Sequence, residues 1–131
     1  MYGPKGYTRK IVEMLSGLEK VTLRNCVWFK VSAGRLLEIA EILPKENLND
    51  RHNEAPTLND FLELARREFK TVFEGYIITD RDDERVTINA VHIPLSRTDL
   101  KDFILSKALD KPNEYEVYLF RNERYIKLWW D

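Results

Sequence analysis

The chain has 131 residues, with 21 basic and 22 acidic side chains and a net charge of -1. This balance gives no overall attraction to nucleic acid or anionic lipid, and so counts against strongly basic, charge-driven binding proteins. Hydrophobic residues make up 44% and charged residues 33%, which predicts a folded chain rather than a disordered one. The length predicts a single domain over residues 1–131.

The chain has one cysteine, Cys26, which excludes an intramolecular disulfide and a cysteine-clustered zinc site. No apolar run suits a signal peptide or approaches the ~18 residues that cross a bilayer. We therefore expect a cytoplasmic protein with no membrane partner. Glutamine is absent while Lys, Arg and Glu are abundant, which leans toward a thermophilic source. No motif indicates a cofactor or a metal site.

The first third of the chain predicts a lead-in, a helix and a long strand. Residues 1–7 carry glycine and proline and predict a flexible lead-in. Thr8 suits a helix cap, and apolar residues at helical spacing predict a helix over 8–18. Residues 21–32 alternate with period two, which favours one strand. One face of it would carry Val21, Leu23, Val27, Phe29 and Val31, and the other would carry Thr22, Arg24, Cys26, Trp28 and Lys30.

The middle of the chain predicts helices and a hairpin. A short helix over 35–43 ends at Pro44, and the polar segment 44–56 predicts a long mobile loop. Thr57 and Asp60 form a capping-box pattern that begins the clearest helix. Residues 72–79 and 85–93 predict two strands joined by a charged turn. On the second of these strands we expect Val86, Ile88, Ala90 and His92 to share one face.

The last third repeats the pattern of one helix followed by two strands. Ser96 and Asp99 predict a helix start, and Pro112 stops that helix. Residues 115–120 and 125–130 then predict a second hairpin.

Omitting the first helix and the last strand, and merging the middle helices, leaves the order β-α-β-β-α-β. This order resembles the split-βαβ, or ferredoxin-like, pattern. The resemblance implies an α+β fold with a mainly antiparallel sheet of about five strands, helices packed on it, an added N-terminal helix and an added C-terminal strand. It would place strand 21–32 in the middle of the sheet. It implies no function, because this fold hosts many.

The C-terminal hairpin is apolar on both sides. A sheet with one solvent-exposed face would instead alternate apolar and polar residues, so we expect something to cover the second face. Its cover could be the N-terminal helix, a second protomer or a ligand. Our leading hypothesis is a non-enzymatic binding or assembly domain that self-associates, for example as a homodimer, or docks a protein partner through a sheet face and the C-terminal aromatic hairpin. The candidate interface residues are Trp28, Tyr118, Phe120, Tyr125, Trp129 and Trp130.

Two alternatives stay open. Arg24, Trp28 and Lys30 share a strand face and could bind single-stranded nucleic acid by stacking and charge. A small metal-dependent hydrolase is the other alternative, using Asp80, Asp82, Asp83 and His92. Asp83 and His92 would lie about 30 Å apart at opposite ends of one strand, which argues against a shared site. Polar surroundings predict a solvated His52, and Cys26 is expected to be a small buried residue.

Overall fold

The computed structural model describes residues 2–131, so Met1 of the expected lead-in lies outside the described residues. The helices are α1 (Arg9–Met14), α2 (Ala33–Ala40), α3 (Lys45–Leu48), α4 (Leu58–Arg67) and α5 (Thr98–Lys107). The strands are β1 (Lys20–Leu23), β2 (Cys26–Ser32), β3 (Val72–Ile78), β4 (Arg85–Pro94), β5 (Glu114–Phe120) and β6 (Glu123–Trp129). The described helices are all too short to cross a membrane.

All six strands form one curled antiparallel sheet in the order β1-β2-β3-β4-β6-β5. The α+β class and the antiparallel sheet are therefore confirmed, but the ferredoxin-like strand order is not. Ser32 at the end of β2 pairs with Val72 at the start of β3. The helical segment between them leaves and re-enters the sheet at the same end, so β2 and β3 are antiparallel neighbours and β2 is not central.

The single strand predicted over 21–32 is in fact a hairpin of two strands, β1 and β2. The sheet therefore has six strands rather than the predicted five or so. Arg24 and Asn25 form the turn of this hairpin, and Arg24 has a φ of 50°. The turn reverses the chain, so that Val21 pairs with Trp28 and lies on the Trp28 face rather than the Val27 face. The alternation of residue types continues across the turn, which is why the pattern predicts one strand.

The helices cover one face of the sheet. Val27, Phe29 and Val31 of β2 belong to a buried cluster together with Leu36, Ile39, Phe61 and Leu62 of α2 and α4. Ile11 and Leu15 of α1 belong to the same cluster. The N-terminal helix therefore joins this layer, and none of its residues lines the cavities of the opposite face.

Local signals fix some helix starts but not others. The Thr57 hydroxyl accepts from the Asp60 N–H at 3.2 Å, and the Asp60 carboxylate accepts from the Thr57 N–H at 2.9 Å. This confirms the capping box of α4. In contrast, α5 begins after Arg97 with no side-chain cap, and Ser96 does not cap it. Segment 44–56 contains α3 and is not wholly irregular.

Strand β4 has two partners along its outer edge. Its second half, from Ala90, pairs with β6. Along the first half, the buried Asn47 side chain replaces a strand: it donates to the Val86 carbonyl at 2.8 Å and accepts from the Val86 N–H at 2.9 Å. Just before it, buried Glu84 accepts from the Gly6 N–H and the Thr8 hydroxyl, each at 2.6 Å. These contacts anchor the N-terminal segment to the sheet.

Candidate functional site

The sheet face opposite the helices, called the open face below, carries a mixture of aromatic and charged side chains. The strand registers place them there as follows: Val21 and Leu23 from β1, Trp28 and Lys30 from β2, Glu74 and Tyr76 from β3, Ala90 and His92 from β4, Tyr125, Lys127 and Trp129 from β6, and Glu116, Tyr118 and Phe120 from β5. Such a face is far from the uniformly polar surface of a solvated sheet.

A β-bulge between β3 and β4 decides which residues reach the open face. Glu74 pairs with Ala90 but Gly75 pairs with Ile88, so Asn89 is the extra residue. Val86 and Ile88 therefore face the helices, while Ala90 and His92 face the other way, which corrects the expectation that the four share a face. A Cβ on Gly75 would lie 1.9 Å from the Thr87 carbonyl oxygen, so only glycine fits here.

A chain of hydrogen bonds crosses the centre of the open face. Glu74 Oε2 lies 2.5 Å from His92 Nε2 and 3.2 Å from Lys127 Nζ. His92 Nδ1 lies 2.6 Å from the Tyr118 hydroxyl oxygen. Three strands and the edge strand β5 are thus linked by side chains, and His92 is buried with both ring nitrogens engaged.

The electrostatics of this chain favour an ionised Glu74. The hydrogen bond from His92, opposed by desolvation and aided by Lys127, lowers the pKa of Glu74 to about 2. Desolvation, with the nearby charges of Tyr125 and Glu74, raises the pKa of Tyr118. An ionised Glu74 can only accept, so Nε2–H of His92 donates to it. The raised pKa of Tyr118 favours its protonated phenol on the other side of the ring.

The same residues line a groove along the open face. One cavity of about 440 Å³ includes His92, Tyr118 and Tyr125, and a second of about 220 Å³ includes Trp28 and Trp129. The two cavities share Glu19, Lys30, Glu74 and Lys127, so they adjoin. Nothing in the sequence pattern predicted the part played by Glu74, although a carboxylate before glycine in an otherwise apolar strand is the signal that could have found it.

The second candidate site is the outer edge of β5, which pairs only with β6. Its apolar side chains are exposed on both faces of the sheet: Tyr115 73%, Val117 52%, Leu119 66% and Phe120 51%. In a protein of this size, a run of exposed large apolar residues on an edge strand is typical of an interaction surface. Tyr115, Val117 and Leu119 were not among the predicted interface residues.

Of the six predicted interface residues, five lie on the open face, including Trp28 and Trp129, and one lies in the core. Tyr118, Phe120 and Tyr125 form an aromatic cluster on the open face, with ring centroids 5.7 and 6.2 Å from Tyr125. Trp130 instead lies in the core at 0% exposure, against Phe61, and donates its Nε1–H to the Asp110 carbonyl at 3.0 Å. Trp130 is therefore not accessible to a partner.

The residues predicted for nucleic acid are only partly brought together. Trp28 is 42% exposed, shares the open face with Lys30, and lies 4.9 Å from the Tyr76 ring. Arg24 sits in the β1–β2 turn and does not line the groove.

The acidic turn and His92 are not brought together. Asp80 pairs with Arg9 at 3.0 Å, and Asp83 pairs with Arg81 at 2.8 Å. His92 is at the other end of β4, since its partner Val72 starts the strand that Ile78 ends. Between residues 2 and 131, the structure places no three His, Cys, Asp or Glu side chains so that they could hold a metal ion.

A further cavity of about 680 Å³ lies beside the loop before α4, and His52 lines it. The His52 ring is half-buried, and its Nδ1 lies 2.8 Å from the Tyr76 hydroxyl oxygen. Burial lowers the pKa of His52, which differs from the solvated histidine that the polar loop predicts.

Compared with protein-family models, curated proteins and solved structures, the chain shows no significant match.

Proposed function

We propose that the protein is a non-enzymatic assembly domain that forms a symmetric homodimer by pairing β5 with β5 of a second copy. The observation that carries this proposal is the unpaired β5 edge with its exposed apolar side chains on both faces. Burying a large apolar side chain fully contributes about 1.5–3 kcal/mol, so a partner on this edge gains substantial free energy.

The backbone of β5 supports pairing at its outer edge. The Trp130 N–H bonds to the Asn89 carbonyl and the Leu95 N–H bonds to the Arg124 carbonyl, so even-numbered β6 residues bond toward β4. Backbone hydrogen bonds point to alternate sides along an antiparallel strand, so the odd-numbered β6 residues bond toward β5. Their partners in β5 are its even-numbered residues. The N–H and C=O groups of Tyr115, Val117 and Leu119 consequently point outward.

The sequence of β5 is self-complementary in one antiparallel register. When Val117 faces Val117 of the second copy, all seven residues pair and Tyr115 faces Leu119. On the other face, Glu116 then lies opposite Tyr118. Shifting the register so that Glu116 faces itself would oppose two carboxylates, which is unfavourable. The favoured register puts both helical layers on the same side of one continuous sheet.

The chain does not protect this edge by the usual means. Natural edge strands are blunted by lysine, proline, bulges or short length. β5 has seven residues and carries Glu114 and Glu116 but no lysine, proline or bulge, whereas the opposite edge strand β1 has four residues and begins with Lys20. The contrast favours β5 rather than β1 as the interface.

The proposal is tested by sedimentation at several concentrations. We expect the natural chain to dimerise and Val117→Lys to remain monomeric, because two lysines would then oppose each other at the centre of the interface. The matched control is Val21→Lys, which places the same change at the exposed β1 edge and should leave the dimer intact.

Three results would contradict the homodimer. The first is a natural chain that is monomeric at every concentration. The second is a Val117→Lys variant that still dimerises. The third is a Val21→Lys variant that loses the dimer while Val117→Lys keeps it. The first would leave a different protein as the partner of this edge.

A further inference from the structure

We propose that the slot between Trp28 and Trp129 on the open face binds a nucleotide, with its base against the indole rings and its phosphate at Lys30. This proposal is independent of β5 pairing, because the slot is lined by Glu19 and by residues of β1, β2, β3, β4 and β6, and by none of β5.

The slot has an aromatic side chain on each side and one small residue between them. Trp28 of β2 and Trp129 of β6 both line it, and Ala90 of β4 offers only a methyl group on this face. Gly75 lines the slot with its backbone alone, because its register turns it toward the helices, and the β3 side chain that lines the slot is Glu74. Indole rings beside a small residue offer a surface on which a planar base can stack.

The size of the slot suits a ring. Its volume is about 220 Å³. An apolar cavity of about 150 Å³ already accommodates benzene. The adjoining cavity of about 440 Å³ leaves room for the sugar and phosphate that a base carries.

Among the lysines of the slot, Lys30 is the one whose ammonium has no hydrogen-bond or ion-pair partner within residues 2–131, while Glu19 adds a carboxylate without an ion pair to both cavities. Glu74 is already matched by Lys127 and His92, and the Lys20 ammonium donates to the Leu15 carbonyl. Lys30 has no carboxylate within 4.0 Å in the described part of the chain, and it lines both cavities. Its ammonium is therefore the group that can bind a phosphate beside the stacked base.

The base and phosphate that fit this slot could belong to a free mononucleotide or to one nucleotide of a single strand. AMP and a single-stranded oligoadenylate separate the two sources. Binding of the oligomer that is much tighter than that of AMP, and that weakens steeply with salt, would identify the strand as the ligand.

The test is calorimetric titration of the full chain with AMP, with oligoadenylate and with ribose 5-phosphate. We expect saturable binding of AMP or the oligomer and none of ribose 5-phosphate, because stacking requires the base. Trp28→Ala should weaken binding about tenfold, the loss expected for one stacked base. Lys30→Ala should weaken it and reduce its salt dependence.

The matched control is Phe69→Ala, which removes an exposed aromatic side chain outside the slot and should leave binding unchanged. Trp28 is partly exposed, so its removal should preserve folding, which circular dichroism checks. The proposal is overturned if neither AMP nor the oligomer binds saturably, or if Trp28→Ala binds as tightly as the natural chain. Sedimentation of the dimer is unaffected by either result.

Discussion

Among single residues, Glu74 does most to organise the open face. It joins His92 of β4 to Lys127 of β6, and through His92 it reaches Tyr118 of β5. Half-buried carboxylates are tolerated when such partners stabilise the charged form. The edge strand that we propose as the interface is therefore tied by one hydrogen-bonded chain to the centre of the sheet.

This chain gives a pH dependence of stability whose sign is fixed. The pKa of Glu74 is about 2 in the folded protein, below the ordinary value of 4.5. Its contribution to the free energy of unfolding is thus fully present above pH 4.5 and is lost as the pH falls toward 2. We expect Glu74→Gln to be less stable than the natural chain at neutral pH, and the difference to shrink across that acid range. Urea unfolding from neutral pH to pH 2 measures it.

The control for this prediction is Glu41→Gln, which lies outside the open face and the β5 edge. Exposed Glu41 makes no ion pair within residues 2–131, so its removal should leave the acid profile unchanged. A constant difference between Glu74→Gln and the natural chain from neutral pH to pH 2 would show that the charge of Glu74 does not stabilise the fold.

On the scale of elements, β4 shows how a strand edge can be completed without a strand. β6 covers only its second half, and the Asn47 amide pairs with both backbone groups of Val86 in the first half. The Tyr7 hydroxyl also donates to Asn47 at 2.8 Å, so this one side chain connects α3, β4 and the N-terminal segment. The arrangement satisfies backbone groups that burial would otherwise leave unpaired.

We expect Asn47→Ala to lower the free energy of unfolding by several kcal/mol. The Val86 N–H and C=O would both lose their partner, and each buried unpaired group costs about 1–3 kcal/mol. Asn59→Ala is the control, because it removes only an exposed hydrogen bond to Asn49 and should change stability by about 0.5 kcal/mol or less. Equal urea midpoints for the two variants would contradict this view of the β4 edge.

The sequence allowed prediction of those elements whose signals are local. The α4 cap depends on Thr57 and Asp60, three residues apart, and is found as predicted. The Arg24–Asn25 turn lacks glycine, and the β3–β4 bulge depends on how Gly75 meets Thr87 across the sheet. Neither of these is visible in a single stretch of sequence.

The candidate site was predictable only in outline. The apolar character of the C-terminal hairpin is plain from its residues, but the sequence does not tell which side the helices cover. Trp130 and Trp129 are adjacent, yet one is in the core and the other on the open face. The partners of His92 come from β3 and β5, which the sequence separates by 18 and 26 positions.

At the scale of the whole molecule, the sheet has one face closed by helices, one grooved open face and two free edges. The longer edge, β5, carries the apolar surface that we propose is buried between two copies. A dimer joined there would extend the sheet to twelve strands, twice the six of one chain. The groove would stay open in each copy, so assembly and nucleotide binding can be tested separately.

The most direct measurement is disulfide formation by Val117→Cys in a Cys26→Ala background, under mild oxidation. Facing residues of a hydrogen-bonded antiparallel pair have Cα atoms about 5.5 Å apart, within disulfide range. Leu119→Cys is the matched control, because in the proposed register the two copies of position 119 lie roughly 13 Å apart. We expect a covalent dimer from Val117→Cys and none from Leu119→Cys. No covalent dimer from Val117→Cys, or equal amounts from both variants, would contradict the β5 interface.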